Sequence, residues 1–124
     1  MYKRDPAQAE ATAASRRRRD AAPWLRDQVP HLESLRLTFD DERPDGSSAQ
    51  RYAQPVLVQS AKAHFEVRCM VPRCDGLHDL TAQIVRVLRE RKTEASIRSQ
   101  CQGSINNTPC VSTLICTCEA AYRG

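Results

Sequence analysis

Four cysteines in two pairs, each pair closing a turn, constrain this chain more than any other feature. Cys69 and Cys74 bracket Met70-Val71-Pro72-Arg73 and run into Asp75-Gly76, and Cys101 and Cys110 bracket a stretch with Gly103, Asn106, Asn107 and Pro109. Pro and Gly favour such reversals, and a reversal brings two side chains together without bending a strand. Between the two turns lies a segment of helical periodicity that lets them meet. The chain has 124 residues, 6 of them cysteine, with 5% aromatic and 27% charged residues. Its apolar core is therefore modest, and that is where a metal or a disulfide contributes most to stability. The length fits one domain with room for a disordered end.

The compartment decides between bridges and metal. The opening, Met1-Tyr2-Lys3-Arg4-Asp5-Pro6, runs into Ala, Gln and Glu without an apolar h-region, and no stretch approaches the length of a membrane span. The expectation is a cytoplasmic protein, where thiols stay reduced and clustered cysteines bind metal more often than they bridge. An oxidising compartment would reverse that argument.

Along the chain, residues 1–22 read as a flexible basic arm and 23–124 as a single domain. In the arm, Ala7 to Ala14 has transient helical propensity, and Arg16-Arg17-Arg18-Arg19 is the densest charge run. Trp24, the only tryptophan, is expected to pack the end of the arm onto the domain. Leu35, Leu37 and Phe39 alternate with Ser34, Arg36 and Thr38, which predicts a strand over 31–40 that ends in the polar loop Asp40 to Ser48. Gln54 to Val58 reads as a short extended piece. Ala61 to Cys69 alternates again, with Ala61, Ala63, Phe65, Val67 and Cys69 on one face. Leu80, Ile84, Val87 and Leu88 form one apolar stripe and predict a helix from Asp79 to Lys92, with Asp79 as N-cap. Strands follow over 95–101 and 111–122, the last with Leu114, Cys116, Cys118, Ala120 and Tyr122 on one face. The fold class is α+β: a small antiparallel sheet of about four strands with one main helix on one face and zinc-ribbon-like cysteine turns.

Tetrahedral zinc takes four thiolate or imidazole ligands, and Cys69, Cys74, Cys101 and Cys110 supply four sulfurs from two turns. The spacing departs from the usual close pair, with four and eight intervening residues instead of two. Cys116 and Cys118 share an apolar face, where free cysteine behaves as a small hydrophobe, although either could replace Cys110. Two disulfides or a redox dithiol are the rival readings. His64-Phe65-Glu66 resembles the His-x-Glu of zinc deaminases, yet it falls on a strand and lacks the later Cys-x-x-Cys. His78 reads as a surface residue near a helix cap. With four protein ligands no position remains for an activated water, and neither a phosphate loop nor a nucleophile elbow occurs, so no enzyme and no small-molecule substrate are expected.

Charge is uneven: residues 1–30 carry seven basic and four acidic groups (+3), 31–60 three and five (−2), and 61–124 nine and six (+3). If the strand phases hold, the outward sheet face carries Arg36, Lys62, His64, Glu66, Arg68, Arg98 and Gln100. Arg16 to Arg19 would then make loose phosphate contacts, with Arg36, Lys62, Arg68 and Arg98 as a docking face. That face has no exposed aromatics for stacking, so contacts would be to phosphate and weakly sequence-selective.

Phe65-Glu66-Val67-Arg68-Cys69, Cys74-Asp75-Gly76, His78-Asp79-Leu80-Thr81, Cys101-Gln102-Gly103 and Cys110 together resemble small uncharacterised bacterial zinc-ribbon-like proteins over about half the chain. The resemblance implies a zinc-held binding module and transfers no activity. The expected function is a non-catalytic zinc-binding module associated with nucleic acid, RNA ahead of DNA. A protein adaptor meeting an acidic partner surface is the alternative, and a thiol redox protein the third reading.

Overall fold

Apolar–polar alternation in the longest strands builds the platform on which everything else sits, broken in the first by a register shift between Leu32 and Ser34. The structure is a computed structural model and describes residues 6–47 and 51–124. The first residues of the arm, 1–5, and residues 48–50, which include the last residue of the polar loop, lie outside the described residues. Strands β1 (Leu32–Glu42), β2 (Tyr52–Val56), β5 (Glu94–Gln100) and β8 (Thr113–Tyr122) form one antiparallel sheet in the order β2-β1-β8-β5. On its inner face Leu37 lies opposite Cys118, Phe39 opposite Cys116, and Ile97 opposite Cys116 from the other side. Cys116 and Cys118 are fully buried there with Leu114, in the phase that the sequence predicts.

One helix covers this face. Helix α3 (Thr81–Arg89) is shorter at both ends than the expected 79–92. Its N-cap is Leu80 and not the expected Asp79, which lies one residue earlier and accepts from the Thr81 N–H at 3.0 Å through Oδ1. Leu80, Ile84 and Leu88 are completely buried, which is the expected stripe without Val87 at full depth. A short helix α2 (Leu25–Gln28) adds Leu25 and Val29 to the same core. A fully buried Leu or Ile contributes about 1.5–3 kcal/mol, so the helix face is a large share of a small core.

The strand expected over 61–69 is the main correction to the fold. Only β3 (Glu66–Arg68) is a strand, and it pairs with β4 (Leu77–Asp79) in a hairpin outside the main sheet. The reason is local: the Leu25 N–H donates to Ala61 O at 3.0 Å, the Ala63 N–H to Pro23 O at 2.7 Å, and the Phe65 N–H to Thr81 Oγ1 at 2.9 Å. Ala63 and Phe65 are still buried in the core, but pairing around Lys62 is limited to a single antiparallel bridge with Trp24 and does not extend into a ladder.

The arm also differs from expectation. Residues Pro6–Ala21 form helix α1, which lies against β3 through polar contacts. The Glu66 carboxylate is the hub: Ser15 Oγ donates to it at 2.9 Å, Arg18 Nη2 at 2.9 Å and Arg18 Nε to its other oxygen. Arg68 reaches Thr12 Oγ1 at 3.2 Å. At the other end Lys62 Nζ donates to the carbonyls of Asp20 and Ala22 and lies 4.2 Å from the Trp24 ring centre, closing the helix C-terminus. Trp24 thus joins arm to domain while remaining partly exposed.

Ile84→Ala should cost about 2–5 kcal/mol of stability in denaturant titration, because a fully buried side chain is replaced by a cavity. Glu66→Gln should release α1 and leave the sheet intact, read as lost amide protection confined to 6–21. The link titrates as well. The Arg18 hydrogen bond holds the Glu66 carboxyl at about 2, below its ordinary value of 4.5. Docking is therefore complete above 4.5 and is lost as pH falls toward 2, while the Glu66→Gln variant should show no such transition.

Candidate metal centre

Each cysteine turn carries a glycine that presses against the other turn. Cys69 ends the β3 side and Cys74 starts the return; the Cys69 N–H donates to Gly76 O at 3.0 Å and the Gly76 N–H to Cys74 Sγ at 3.3 Å. The second turn repeats the pattern in reverse: the Cys110 N–H donates to Gly103 O at 2.9 Å and the Gly103 N–H to Cys101 Sγ at 3.3 Å. Two cross-links join the turns. The Asp75 N–H donates to Ser104 O at 3.2 Å, and the Ser104 N–H donates to Asp75 Oδ1 at 2.7 Å. A small hairpin of β6 (Ser104–Ile105) and β7 (Thr108–Pro109) carries the chain from Gly103 back to Cys110.

The sulfurs of Cys69, Cys74, Cys101 and Cys110 all lie within 4.8 Å of one another. Cys69 and Cys110 are 3.9 Å apart and Cys74 and Cys101 3.5 Å. Four sulfurs at a Zn–S distance of about 2.3 Å on a tetrahedron would be about 3.8 Å apart, so the cluster has the size of a four-thiolate site. A disulfide needs about 2.05 Å, and all six cysteines are free. The cluster can hold a metal ion. Cys101 and Cys110 are buried, whereas Cys69 and Cys74 are half-buried at the surface end. Burial pushes the Cys69 and Cys74 thiols up. Burial also opposes ionisation of Cys110, but the Ser112 N–H and the neighbouring sulfurs outweigh it and bring that thiol down. A divalent cation reverses the upward shifts by supplying the missing positive charge.

The glycines are needed for space. A Cβ on Gly76 would lie 2.4 Å from Cys101 Sγ, and one on Gly103 would lie 2.4 Å from the Gly76 Cα. Neither has a positive φ; in the first turn that conformation belongs to Arg73 at 68°, and in the second to Asn106 and Asn107 at 50° and 65°. The sequence shows glycines at the turns but not that they face each other.

The remaining predicted residues scatter. Cys116 and Cys118 stay in the core, so Cys110 keeps its place in the cluster. His78 is buried instead of exposed, with Nδ1 2.8 Å from Ser99 Oγ, and burial lowers its pKa. His64 Nε2 lies 3.0 Å from Glu66 Oε1, in the group that docks α1. The expected docking face does not assemble. Arg36 and Arg98 lie on the outer sheet face, opposite Glu119 and Ile115 of β8, and Arg98 is paired with Glu42. With Asp40, Glu42, Glu94 and Glu119 in the same phase, that face is more acidic than basic. Lys62 and Arg18 are committed to holding α1. Arg16, Arg19 and Arg68 do come together, in a cleft between α1 and the first cysteine turn, where Arg73 joins them. Arg17 is exposed and does not line that cleft.

No protein-family model, curated protein or solved structure matches the chain. Among the described residues no helix is long and apolar enough to cross a membrane. The fold and the cluster together define an α+β protein with a four-cysteine site suited to a metal ion.

Gly76→Ala should weaken metal binding about 10- to 100-fold, the usual cost of disturbing the groups behind a ligand, in competition with a chromophoric chelator. Gly46→Ala strains a backbone φ of 82° but adds a Cβ that meets nothing within 4 Å, and it should leave metal affinity unchanged.

Proposed function

We propose that this protein is a non-catalytic zinc module acting as an accessory to nucleic acid, with RNA ahead of DNA. The observation that carries the metal part is the closure of four sulfurs from two turns to within 4.8 Å. An all-thiolate tetrahedron suits zinc or iron, and zinc is the redox-inert choice for a site whose role is to hold turns together. Four protein ligands complete the coordination sphere, which supports a structural rather than a catalytic ion. Six unbridged thiols suit a reducing compartment, which supports a cytoplasmic location. In this reading the cysteine turns are relatives in kind of zinc-ribbon turns, widened and separated by α3.

The nucleic-acid part rests on charge. Arg16, Arg17 and Arg19 are exposed on α1 and have no ionic partner among the described residues, so they are available to phosphate. The mixed charge of the outer sheet face instead favours an encounter restricted to the α1 side.

Protein purified under reducing conditions should carry about one zinc per chain by elemental analysis. Cobalt substitution should give the visible bands of tetrahedral thiolate ligation, and Cys101→Ser should abolish them. Chelation should loosen the hairpins, since metal binding and folding are coupled in such sites. Absence of zinc, with thiols lost in air, would favour the redox reading.

A further inference from the structure

Helix α1 and the first cysteine turn enclose a cleft of about 890 Å³ immediately outside the four-sulfur cluster. One wall is the α1 face with Thr12, Ser15, Arg16 and Arg19; the floor is Glu66 and Arg68; the other wall is the turn from Met70 to Gly76, with Cys69 and Cys74 at its base. Four guanidinium groups, those of Arg16, Arg19, Arg68 and Arg73, line it against two carboxylates.

Both carboxylates are already engaged. Glu66 is held by Arg18 and Ser15, and Asp75 accepts from the Ser104 N–H and lies 3.4 Å from Ser104 Oγ. The side chains of Arg16, Arg19 and Arg73 are exposed and make no hydrogen bond or ion pair among the described residues, and that of Arg68 has only the Thr12 hydroxyl. Arg18 meets the charge of Glu66, so among the cleft's carboxylates only Asp75 is left to oppose the four arginines. Arg73 adds a separate observation. It occupies a left-handed backbone position, φ 68°, that glycine or asparagine would take with less strain, and it lines the cleft from there.

We propose that this cleft binds the phosphodiester backbone of single-stranded nucleic acid. The inference rests on the nucleic-acid reading above and deepens it by naming the site and the form of strand. Guanidinium forks match phosphate oxygens bidentately, and several at once on a curved wall track a backbone. Met70, Val71 and Leu77 offer an apolar flank for sugars and bases, without aromatic stacking. A concave site of this volume takes a few nucleotides of an extended strand but not the width of a rigid duplex.

The test uses the full, zinc-loaded chain and fluorescein-labelled oligo-U and oligo-dT of about 12 nucleotides, within the span that single-strand grooves cover, followed by anisotropy. Either strand binding supports the proposal, and the tighter one identifies the sugar. Three to four phosphate contacts predict that affinity falls about 20- to 50-fold between about 50 and 200 mM salt. Arg16→Glu with Arg19→Glu should weaken binding more than about 10-fold, while Arg36→Glu with Arg98→Glu should not. Arg73→Gly should weaken binding yet keep the zinc and the thermal midpoint, because it removes a cation and relieves the backbone. The proposal is overturned by no binding with zinc in place, which leaves the metal reading standing. It is also overturned by equal affinity for a duplex or for inorganic polyphosphate, or by loss of zinc in the Arg16/Arg19 variant. That last result would assign the arginines to balancing the thiolate charge.

Discussion

Two glycines set back to back fix the geometry of the whole small lobe. Gly76 and Gly103 meet so closely that neither has room for a methyl group, and each donates its N–H to the sulfur two residues before it. Because Cys69 and Cys110 are tied by their own N–H groups to the carbonyls of those same glycines, all four sulfurs converge on one point. The two turns come from segments separated by α3 and β5, so the site also ties the β3–β4 hairpin to the end of the main sheet. The Cys101 N–H donating to Ser112 O at 2.9 Å anchors it there.

The rest of the molecule divides its labour by polarity. The sheet and α3 meet through a dry interface of Leu, Ile, Phe and two thiols, which needs no metal to be apolar. The arm helix meets the body through one carboxylate and a few hydroxyl and guanidinium groups. Such a contact is weaker and more sensitive to solution conditions than core packing. Charge that the sequence spreads over many positions is consequently sorted in space: some cations hold α1, some pair on the outer sheet face, and a few face the cleft beside the sulfurs.

Much of this is legible in the residues alone. The alternation in 113–122 and 35–39 is sustained long enough to define both faces, and the stripe Leu80, Ile84, Leu88 marks the buried side of the helix. The four ligand candidates are legible because turn residues accompany each pair. Three things are not. Alternation in 61–69 marks which side chains are buried, but it cannot tell that the backbone bonds to Pro23, Leu25 and Thr81 in place of a neighbouring strand. Pairing of Glu66 with Ser15 and Arg18 joins residues 51 and 48 positions apart, which no periodicity reports. A glycine in a turn signals conformational freedom, whereas here the demand is for space against another glycine.

The proposed function puts one ion among these four sulfurs, with no other ligand. X-ray absorption at the zinc edge on the full chain tests this most directly. A single shell of four sulfurs at about 2.3 Å is the predicted result. A shell containing nitrogen or oxygen at about 2.0 Å, or protein that refuses zinc while all four thiols remain reduced, would contradict it.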